Sequence, residues 1–253
     1  MASERIGIFA DMHGNLPAFE AVLAALQAEG VERFVCLGDV AAVGPQPREV
    51  VQRLQQLSCP VVMGNTDAYV LDPPSVEATA AEDEDETIRR LHELDRWTAA
   101  LFSADERAFI AGFAPTVTLP LADDGSLLCY HGSPRSYEDP ILPTTPPEEL
   151  DALFGEVTAT VLAGGHTQQQ MLRRHRDMLI LNPGSVGLAV DRVPFTFHSR
   201  NPPWAGYAVL RAGDGGLGIE LRRTPFAVAA LLAAVRESGM PHAEWYAGDW
   251  DLG

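Results

Sequence analysis

The chain has 253 residues, of which 46% are hydrophobic and 21% charged, and its formal net charge is −17. These values are typical of a globular protein long enough to bury a large core. The excess of acidic residues argues against a nucleic-acid polymer or an anionic membrane as the main partner, because both require a basic surface.

The N-terminal quarter of the chain alternates between predicted strands and predicted helices. The strands are expected at residues 5–10, 33–37 and 60–63, and the helices at residues 16–29 and 47–57. This alternation is typical of βαβ units, so it predicts a mostly parallel sheet.

A longer helical segment is predicted from about residue 68 to 112. Within it Ile88, Leu91, Leu94 and Trp97 recur at helical spacing, which indicates an amphipathic helix. We interpret the segment as a helical cap inserted beside the functional site. Its acidic run at residues 82–86 is interpreted as a solvated helix face.

Strand-like segments return after the cap. They are expected at residues 116–121, 126–130, 160–163, 178–181 and 207–210, with Asp124-Gly125 as a hairpin turn between the first two. A final amphipathic helix is predicted at 225–238, and we expect Trp245, Tyr246 and Trp250 behind it to pack on the core or to form an oligomer contact. No linker or repeat interrupts the pattern, so we predict a single domain over residues 1–253, with the C-terminal helix and tail at about 225–253.

The N-terminus and the cysteines favour a cytoplasmic protein. Residues 1–5 lead into a predicted strand without the apolar region of a signal peptide, and no apolar stretch reaches the roughly 18 residues of a membrane span. Cys36, Cys59 and Cys129 have no metal-binding or redox spacing. Cys36 and Cys129 lie in apolar runs and are predicted to be reduced core residues.

Five short polar motifs share one position, because each directly follows a predicted strand. They are Asp11-Met12-His13, Gly38-Asp39, Gly64-Asn65-Thr66-Asp67, His131-Gly132 and Gly164-Gly165-His166-Thr167-Gln168. Ligands of open α/β sheets bind outside the carboxyl ends of the strands, so these side chains can converge. Each motif alone is common by chance, but five in order indicate one site of oxygen and nitrogen donors.

The series resembles the motif set of the calcineurin-like metallophosphoesterase superfamily, which reads Asp-x-His, Gly-Asp, Gly-Asn-His-Asp/Glu, a later His and Gly-His-x-His. A small bacterial branch of predicted phosphodiesterases also carries His-Gly-Ser-Pro, here residues 131–134, and Asn-Pro-Gly-Ser-Val-Gly, here residues 182–187. The resemblance covers about residues 5–212. It implies an α/β fold in which two mixed β-sheets pack as a sandwich flanked by helices.

The resemblance also implies two divalent metal ions close together. The implied ligands are Asp11 and His13 for the first metal, Asp39 for both metals, and Asn65, His131 and His166 for the second. The implied catalytic residues are Asp39, Asn65, Asp67 and His131. In such a site a hydroxide bridging the metals attacks phosphorus in line, and the metals stabilise the developing charge. The donor types favour Mn²⁺, and Fe, Zn²⁺, Mg²⁺ or Ni²⁺ are compatible with them.

Two positions depart from the family pattern. Gln168 replaces the second His of Gly-His-x-His, and we expect it to coordinate the first metal through its carbonyl oxygen or through a water. Such a ligand binds loosely and favours Mn²⁺ or Mg²⁺ over Zn²⁺. Thr66 replaces the His that protonates the leaving group, and its hydroxyl is a poor acid at neutral pH. We therefore expect a phosphodiester or phosphoanhydride with an acidic leaving group rather than an alkyl monoester.

Two hypotheses for function follow from these motifs. The leading one is a binuclear metal-dependent phosphodiesterase or phosphatase acting on a small phosphate ester or a nucleotide. The alternative is a weakened member that binds phosphate or nucleotide in a regulatory role, which Thr66 and Gln168 keep open. Substrate contacts are expected from Asn15, Asn65 and Arg135, the last through a bidentate contact with phosphate. The substrate, the native metal and the formation of a homo-oligomer are left open by the sequence.

Overall fold

Two β-sheets form the centre of the computed structural model, which describes residues 4–75, 85–192, 199–213 and 215–250. The strands are β1 (Glu4–Phe9), β2 (Arg33–Cys36), β3 (Val117–Pro120), β4 (Ser126–Cys129), β5 (Val161–Ala163), β6 (Met171–His175), β7 (Met178–Asn182), β8 (Asp191–Arg192), β9 (Ser199–Arg200), β10 (Trp204–Gly213) and β11 (Gly216–Pro225). The helices are α1 (Leu16–Ala28), α2 (Pro47–Leu57), α3 (Asn65–Leu71), α4 (Glu86–Leu101), α5 (Ala104–Ala111), α6 (Pro147–Phe154), α7 (Val228–Ser238) and α8 (Ala243–Gly248).

Both sheets are mixed. The first has the strand order β11-β10-β1-β2, and the second has the order β3-β4-β5-β7-β6. Strands β1 and β2 pair in parallel, as do β4 with β5 and β5 with β7. The hairpins β3–β4, β6–β7 and β10–β11 are antiparallel, because a short turn can join only antiparallel neighbours. The mostly parallel sheet expected from the strand–helix alternation is therefore wrong, whereas the mixed sheets implied by the family resemblance are confirmed.

Apolar layers lie between the sheets and on their outer faces. Successive residues of a strand point to opposite faces, so Ile6 and Ile8 of β1 pack between the sheets with Leu127 of β4. Phe9 points the other way and packs on Phe19 of α1, with ring centroids 5.4 Å apart. The outer face of the second sheet packs against α6. The result is a β-sandwich flanked by helices, as predicted.

Several elements differ from the sequence-based expectations. The strand expected at residues 60–63 is reduced to single bridges made by Val61 and Val62. The sequence did not indicate β6, β11 or α6. The predicted cap consists of α3, α4 and α5 in the described part of the chain; residues 76–84, which include the start of the acidic run, lie outside it.

The C-terminal tail packs on the core. Tyr246 is 3% exposed and Trp250 is 6% exposed, and both belong to the apolar cluster on the helical side of the first sheet. Packing is therefore the role of these two rings, in preference to an oligomer contact.

Cys36 and Cys129 are free thiols buried in the core, which confirms the sequence prediction for them. Within the described ranges, no helix combines the length and the apolar character that a bilayer span requires.

Candidate metal centre

The polar motifs meet at the carboxyl ends of strands from both sheets. Asp11 follows β1, Asp39 follows β2, His131 follows β4 and His166 follows β5. Because β1 runs parallel to β2 and β4 runs parallel to β5, each pair of strands ends at one edge of its sheet. The packing of the sheets then brings the two edges together.

Asp11, His13 and Asp39 form the first ligand group. One ligand atom from each residue lies within 4.8 Å of the other two. The Nε2 atom of His13 is 3.8 Å from Oδ1 of Asp11 and 3.7 Å from Oδ2 of Asp39. Gln168 reaches this group, since its Nε2 atom lies 2.9 Å from Nε2 of His13. Rotation of the Gln168 amide would place its carbonyl oxygen there instead.

Asn65, His131 and His166 form the second ligand group. The Oδ1 atom of Asn65 is 3.1 Å from Nε2 of His131 and 3.0 Å from Nδ1 of His166. The Nε2 atom of His131 also lies 3.4 Å from Oδ1 of Asp39. Asp39 therefore turns Oδ2 toward the first group and Oδ1 toward the second.

Backbone carbonyls fix the orientation of two of the histidines. Nδ1 of His13 lies 3.1 Å from the carbonyl oxygen of Ala42, and Nδ1 of His131 lies 2.7 Å from that of Leu37. A carbonyl oxygen can only accept, so in both rings Nδ1 carries the proton. The Nε2 atoms, which face Asp39, are left as the atoms that can coordinate a cation, and such carbonyl support is typical of metal-bound histidines.

The backbone is strained at most of these ligands. The left-handed region of φ is occupied by Asp11 (56°), His13 (45°), Asp39 (54°), His166 (65°) and Gln168 (59°). This conformation costs a residue other than glycine about 1–3 kcal/mol and persists where the surrounding structure enforces it, often at functional sites. Five such residues around one point therefore support a functional role for the cluster.

Asp11 gives a direct indication that a cation belongs here. Its side chain is fully buried, and neither carboxylate oxygen has a hydrogen-bond partner among the described residues. Burial raises the pKa of Asp11 well above its usual value, against the attraction of His131. A buried, unpaired carboxylate costs several kcal/mol, and a cation beside it would offset that cost. The oxygen and nitrogen donors around Asp11 fit a divalent metal such as Mn²⁺, Fe, Zn²⁺ or Mg²⁺.

Asp39 and His131 are electrostatically paired. Burial alone would raise the pKa of Asp39, but the attraction and hydrogen bonding of His131, with the attraction of His13, hold it well below its usual range. Burial alone would lower the pKa of His131, but the charge of Asp39 outweighs it and raises this pKa to about 9. Asp39 is thus an anion over the whole neutral range.

Asp67 lies behind Asp39 and holds its loop. Its Oδ2 atom accepts hydrogen bonds from the backbone N–H groups of Asp39 (2.8 Å) and Gly64 (3.0 Å), and its Oδ1 atom accepts one from Val40 (2.9 Å). Gly64 is close to Asp39 as well, because a Cβ atom at this position would overlap Oδ1 of Asp39. Both oxygens of Asp67 are therefore engaged with the backbone instead of with the ligand groups.

The segment at residues 182–187 supports the site from the other side. Asn182 donates from Nδ2 to the carbonyl oxygen of Gly165 at 2.7 Å, next to His166. The hydroxyl of Ser185 donates to the carbonyl oxygen of Asp11 at 2.8 Å. This turn therefore positions the loops of both ligand groups.

Two residues predicted to contact the substrate have hydrogen-bond partners within the protein. Asn15 is 0% exposed; its Oδ1 atom accepts from the N–H of Ala18, and its Nδ2 atom donates to the carbonyl oxygen of Gly187. It caps α1 and has no free polar atom for a substrate. Arg135 donates from Nε to Asp139 (3.2 Å) and from Nη1 to the carbonyl oxygen of Ala152 in α6 (3.0 Å). Its guanidinium is thus partly engaged by the protein, and the bidentate phosphate contact stays a prediction.

Comparison with known proteins settles the family. A family model described as the calcineurin-like phosphoesterase superfamily domain matches residues 5–199. The chain belongs to the calcineurin-like phosphoesterase superfamily. This confirms the family predicted from the motifs, and the enzyme class of that family is the metal-dependent phosphoesterase.

Two solved structures share the fold of this superfamily member. A metallophosphoesterase from Sphaerobacter thermophilus is 24% identical, with a TM-score of 0.74 and 98% of each chain covered. A hypothetical protein from Pyrococcus horikoshii OT3 is 18% identical, with a TM-score of 0.74 and 96% of each chain covered. An uncharacterized protein from Methanocaldococcus jannaschii is 36% identical over 77 residues, which are 30% of this chain and 32% of that protein. The match thus spans about a third of this curated relative.

The cap of this protein carries a buried acid that the motifs do not reveal. Asp95 of α4 is 3% exposed, and its Oδ1 atom has no hydrogen-bond partner among the described residues. Burial, with the negative charge of Asp39, raises the pKa of Asp95 to about 7. The sequence does indicate that Asp95 is buried, because Leu91, Leu94, Asp95 and Thr98 share one helix face at the spacing i, i+3, i+4 and i+7.

Replacing Asp95 by Asn should stabilise the protein at pH 8 and have little effect at pH 4. A carboxyl whose pKa is raised in the folded state binds a proton that the unfolded chain releases, so its contribution to stability falls from about pH 4 to about pH 7. Asparagine keeps the shape without the charge. The expected gain at pH 8 is about 2–4 kcal/mol, from about 1.4 kcal/mol per pKa unit.

Thermal unfolding in a chelator tests this prediction, because only the charges of the chain then act on Asp95. A gain of this size corresponds to a rise in Tm of about 5–10 °C. If the variant and the parent protein had parallel Tm profiles between pH 4 and pH 8, Asp95 would not be the group that titrates.

Proposed function

We propose that this protein hydrolyses small phosphodiesters or nucleotides with the help of two divalent cations, one held by each ligand group. The observation that supports this most strongly is the position of Asp39 between the groups, with Oδ2 3.7 Å from Nε2 of His13 and Oδ1 3.4 Å from Nε2 of His131. A carboxylate with one oxygen toward each set of donors is the arrangement that a bridging ligand requires.

The first cation would be held by Asp11, His13, Asp39 and Gln168, and the second by Asp39, Asn65, His131 and His166. When bound, two cations lower the pKa of water and neutralise charge on the phosphoryl oxygens. Because Gln168 offers an amide oxygen in place of an imidazole, we propose Mn²⁺ as the preferred metal, with Mg²⁺ favoured over Zn²⁺ at the first group.

The residues of the chain divide into ligands and positioning residues. Asn65 and His131 keep their proposed catalytic role, because they belong to the second ligand group, where the reacting phosphate would bind. Asp67 is proposed as a positioning residue, in place of the predicted catalytic role, because both its oxygens bind the backbone around Asp39. The N–H of Thr66 donates to Oδ1 of Asp39 at 3.0 Å, so this residue also positions the bridging carboxylate.

The leaving group determines which esters are hydrolysed. The Thr66 hydroxyl is a poor acid, so it gives little help to a leaving group that needs a proton. General acid catalysis is worth about 10²–10⁴-fold, and an alkyl leaving group would lack it. We therefore propose that esters with acidic leaving groups are the substrates.

Turnover of bis-p-nitrophenyl phosphate in Mn²⁺, compared with an alkyl phosphodiester, tests the proposal. We expect the aryl ester to react at least about 100-fold faster, because its leaving group departs without a proton. Chelation followed by return of Mn²⁺ should abolish and restore the rate. Equal rates for the aryl and the alkyl ester would show that a proton donor is present and would contradict this substrate preference.

A regulatory binding protein is the second candidate, and one contact favours it. The Gln168 amide lies 2.9 Å from Nε2 of His13, so a hydrogen bond occupies an atom that the first cation needs. Metal binding at the second ligand group only, with no turnover of a broad panel of phosphate esters, would support this candidate over the hydrolase.

We further propose that residues 1–253 act as one domain in the cytoplasm, where reduced cysteines persist. The free thiols of Cys36 and Cys129 support this location. The net charge of −17 supports a small substrate over a nucleic-acid polymer, because polymer binding requires a basic surface.

A further inference from the structure

A cavity of about 360 Å³ opens beside the second ligand group. His131 forms part of its lining, and the other walls are residues 133–138 and Pro115, which lies between α5 and β3. Its volume is within the range of small-molecule sites, about 300–1,000 Å³. A phosphate at the ligand groups would therefore have one of its ester groups at the mouth of this cavity.

The loop that forms the main wall is held in one conformation. The N–H of Ser133 donates to the carbonyl oxygen of Ser136 at 2.6 Å. The Ser133 hydroxyl donates to Asp139 at 2.6 Å and accepts from the backbone N–H of Arg135 and of Ser136. Because these bonds lie within the loop itself, the cavity is preformed and binding need not order its wall.

The cavity presents one tyrosine ring and two proline rings. Tyr137 is 40% exposed and lines it together with the rings of Pro115 and Pro134. Aromatic side chains prefer flat, polarisable partners in stacked or tilted arrangements. Planar bases stack on aromatic rings such as that of Tyr137 with little dependence on the identity of the base. Each stacked base contributes about 1–3 kcal/mol.

The charges around the cavity exclude a second phosphate and favour hydroxyl groups. The positive charge of Arg135 is balanced by Asp139, 3.2 Å away. Glu138 accepts a hydrogen bond from the Tyr69 hydroxyl through Oε1 at 2.7 Å. A carboxylate has about four acceptor positions, so Glu138 can also accept from the hydroxyls of a sugar, whereas its charge repels an anion.

We propose that this cavity binds the nucleoside group of a phosphodiester, with the base against Tyr137 and the sugar hydroxyls at Glu138. This inference rests on the proposed function, because it takes the ligand groups as the site of the phosphate. It narrows the substrate class to nucleotide esters whose nucleoside carries no further phosphate.

Two substrates with the same leaving group test the proposal in the Mn²⁺-loaded protein. They are the p-nitrophenyl ester of thymidine 5′-monophosphate and methyl p-nitrophenyl phosphate, which differ in the nucleoside. We expect the parent protein to favour the nucleoside ester in kcat/KM, and Tyr137→Ala to reduce this preference about tenfold, mainly through KM. Tyr137→Phe keeps the ring and should keep the preference. Leu172→Ala removes an exposed apolar side chain of β6 outside the cavity and serves as the matched control.

The outcomes separate this inference from the proposed function. If Tyr137→Ala lowered kcat/KM equally for both esters, or changed neither, the nucleoside site would be refuted while the hydrolase stood. If the parent protein cleaved neither ester, the hydrolase proposal would fail. The cavity would then be judged by saturation-transfer NMR with thymidine alone. Ring-proton signals that appear with the parent protein and vanish with Tyr137→Ala would support it, and their absence with the parent would overturn it.

Discussion

Replacing Asp39 by Asn should lower the rate of phosphodiester hydrolysis by about a thousandfold or more and reduce the metal content from two cations to one or none. Asn has one carbonyl oxygen and an NH₂ group that cannot coordinate a cation, so it cannot serve both ligand groups at once. Loss of a single stabilising group in an active site already costs about 10²–10³-fold. Steady-state kinetics with bis-p-nitrophenyl phosphate and elemental analysis after dialysis measure the two effects.

Asp177→Asn is the matched control for this experiment. Asp177 is an exposed residue in the turn between β6 and β7, so the same change in charge is made away from the ligand groups. Its rate and metal content should equal those of the parent protein. An Asp39→Asn variant that retained two cations and more than about a tenth of the rate would remove Asp39 from the bridging position. Thermal unfolding of both variants distinguishes loss of the site from loss of the fold.

The position of the ligands could be predicted from the sequence, because it depends on strand ends. Asp11 and Asp39 follow two parallel neighbours in one sheet, and His131 and His166 follow two parallel neighbours in the other. Parallel strands end at the same edge, so a polar residue after each apolar run already indicates convergence. Packing of the two sheets, which the family resemblance implied, brings the two pairs of strand ends together.

The direction of individual side chains could not be predicted in the same way. Asp67 belongs to a ligand-bearing motif, yet three backbone N–H groups hold its carboxylate. Asn15 is similarly engaged by capping α1, and Arg135 by Asp139 and Ala152. A motif states which residues are close to the site, whereas local hydrogen bonds decide which atoms remain for a ligand.

Two edge strands, β6 and β11, were missed because their sequences carry polar residues and glycines. Strand β6 reads Met-Leu-Arg-Arg-His and lies at the end of the second sheet, and β11 carries two glycines and two arginines at the end of the first. Edge strands commonly contain charged residues that discourage pairing with other chains. Strand β6 therefore lacks the apolar alternation that indicates a strand. In β11 the alternation of Leu217, Ile219 and Leu221 is present, and its glycines and arginines obscured it.

Replacing Gly187 by Ala should lower Tm by about 10 °C or more and abolish metal binding. A Cβ atom at Gly187 would overlap the carbonyl oxygen of Met12, which is a backbone atom and cannot rotate away. The N–H of Gly187 also donates to the carbonyl oxygen of Asp11 at 2.9 Å, so the two segments of the chain cannot move apart without losing this bond. Clashes of this kind in a core cost about 4 kcal/mol or more, and each kcal/mol lowers Tm by about 2–4 °C in a chain of this size.

Met12 lies between two ligands of the first group, so the displaced backbone carries Asp11 and His13 with it. Metal titration followed by calorimetry therefore reports on the site, and thermal unfolding reports on the fold. Gly248→Ala is the control, because a Cβ atom at the end of α8 meets nothing within 4 Å and alanine favours a helix; it should leave both measurements unchanged or raise Tm slightly. Should Gly187→Ala keep a Tm within about 2 °C of the parent and bind both cations, the segment at residues 182–187 would not be what holds the first ligand group in place.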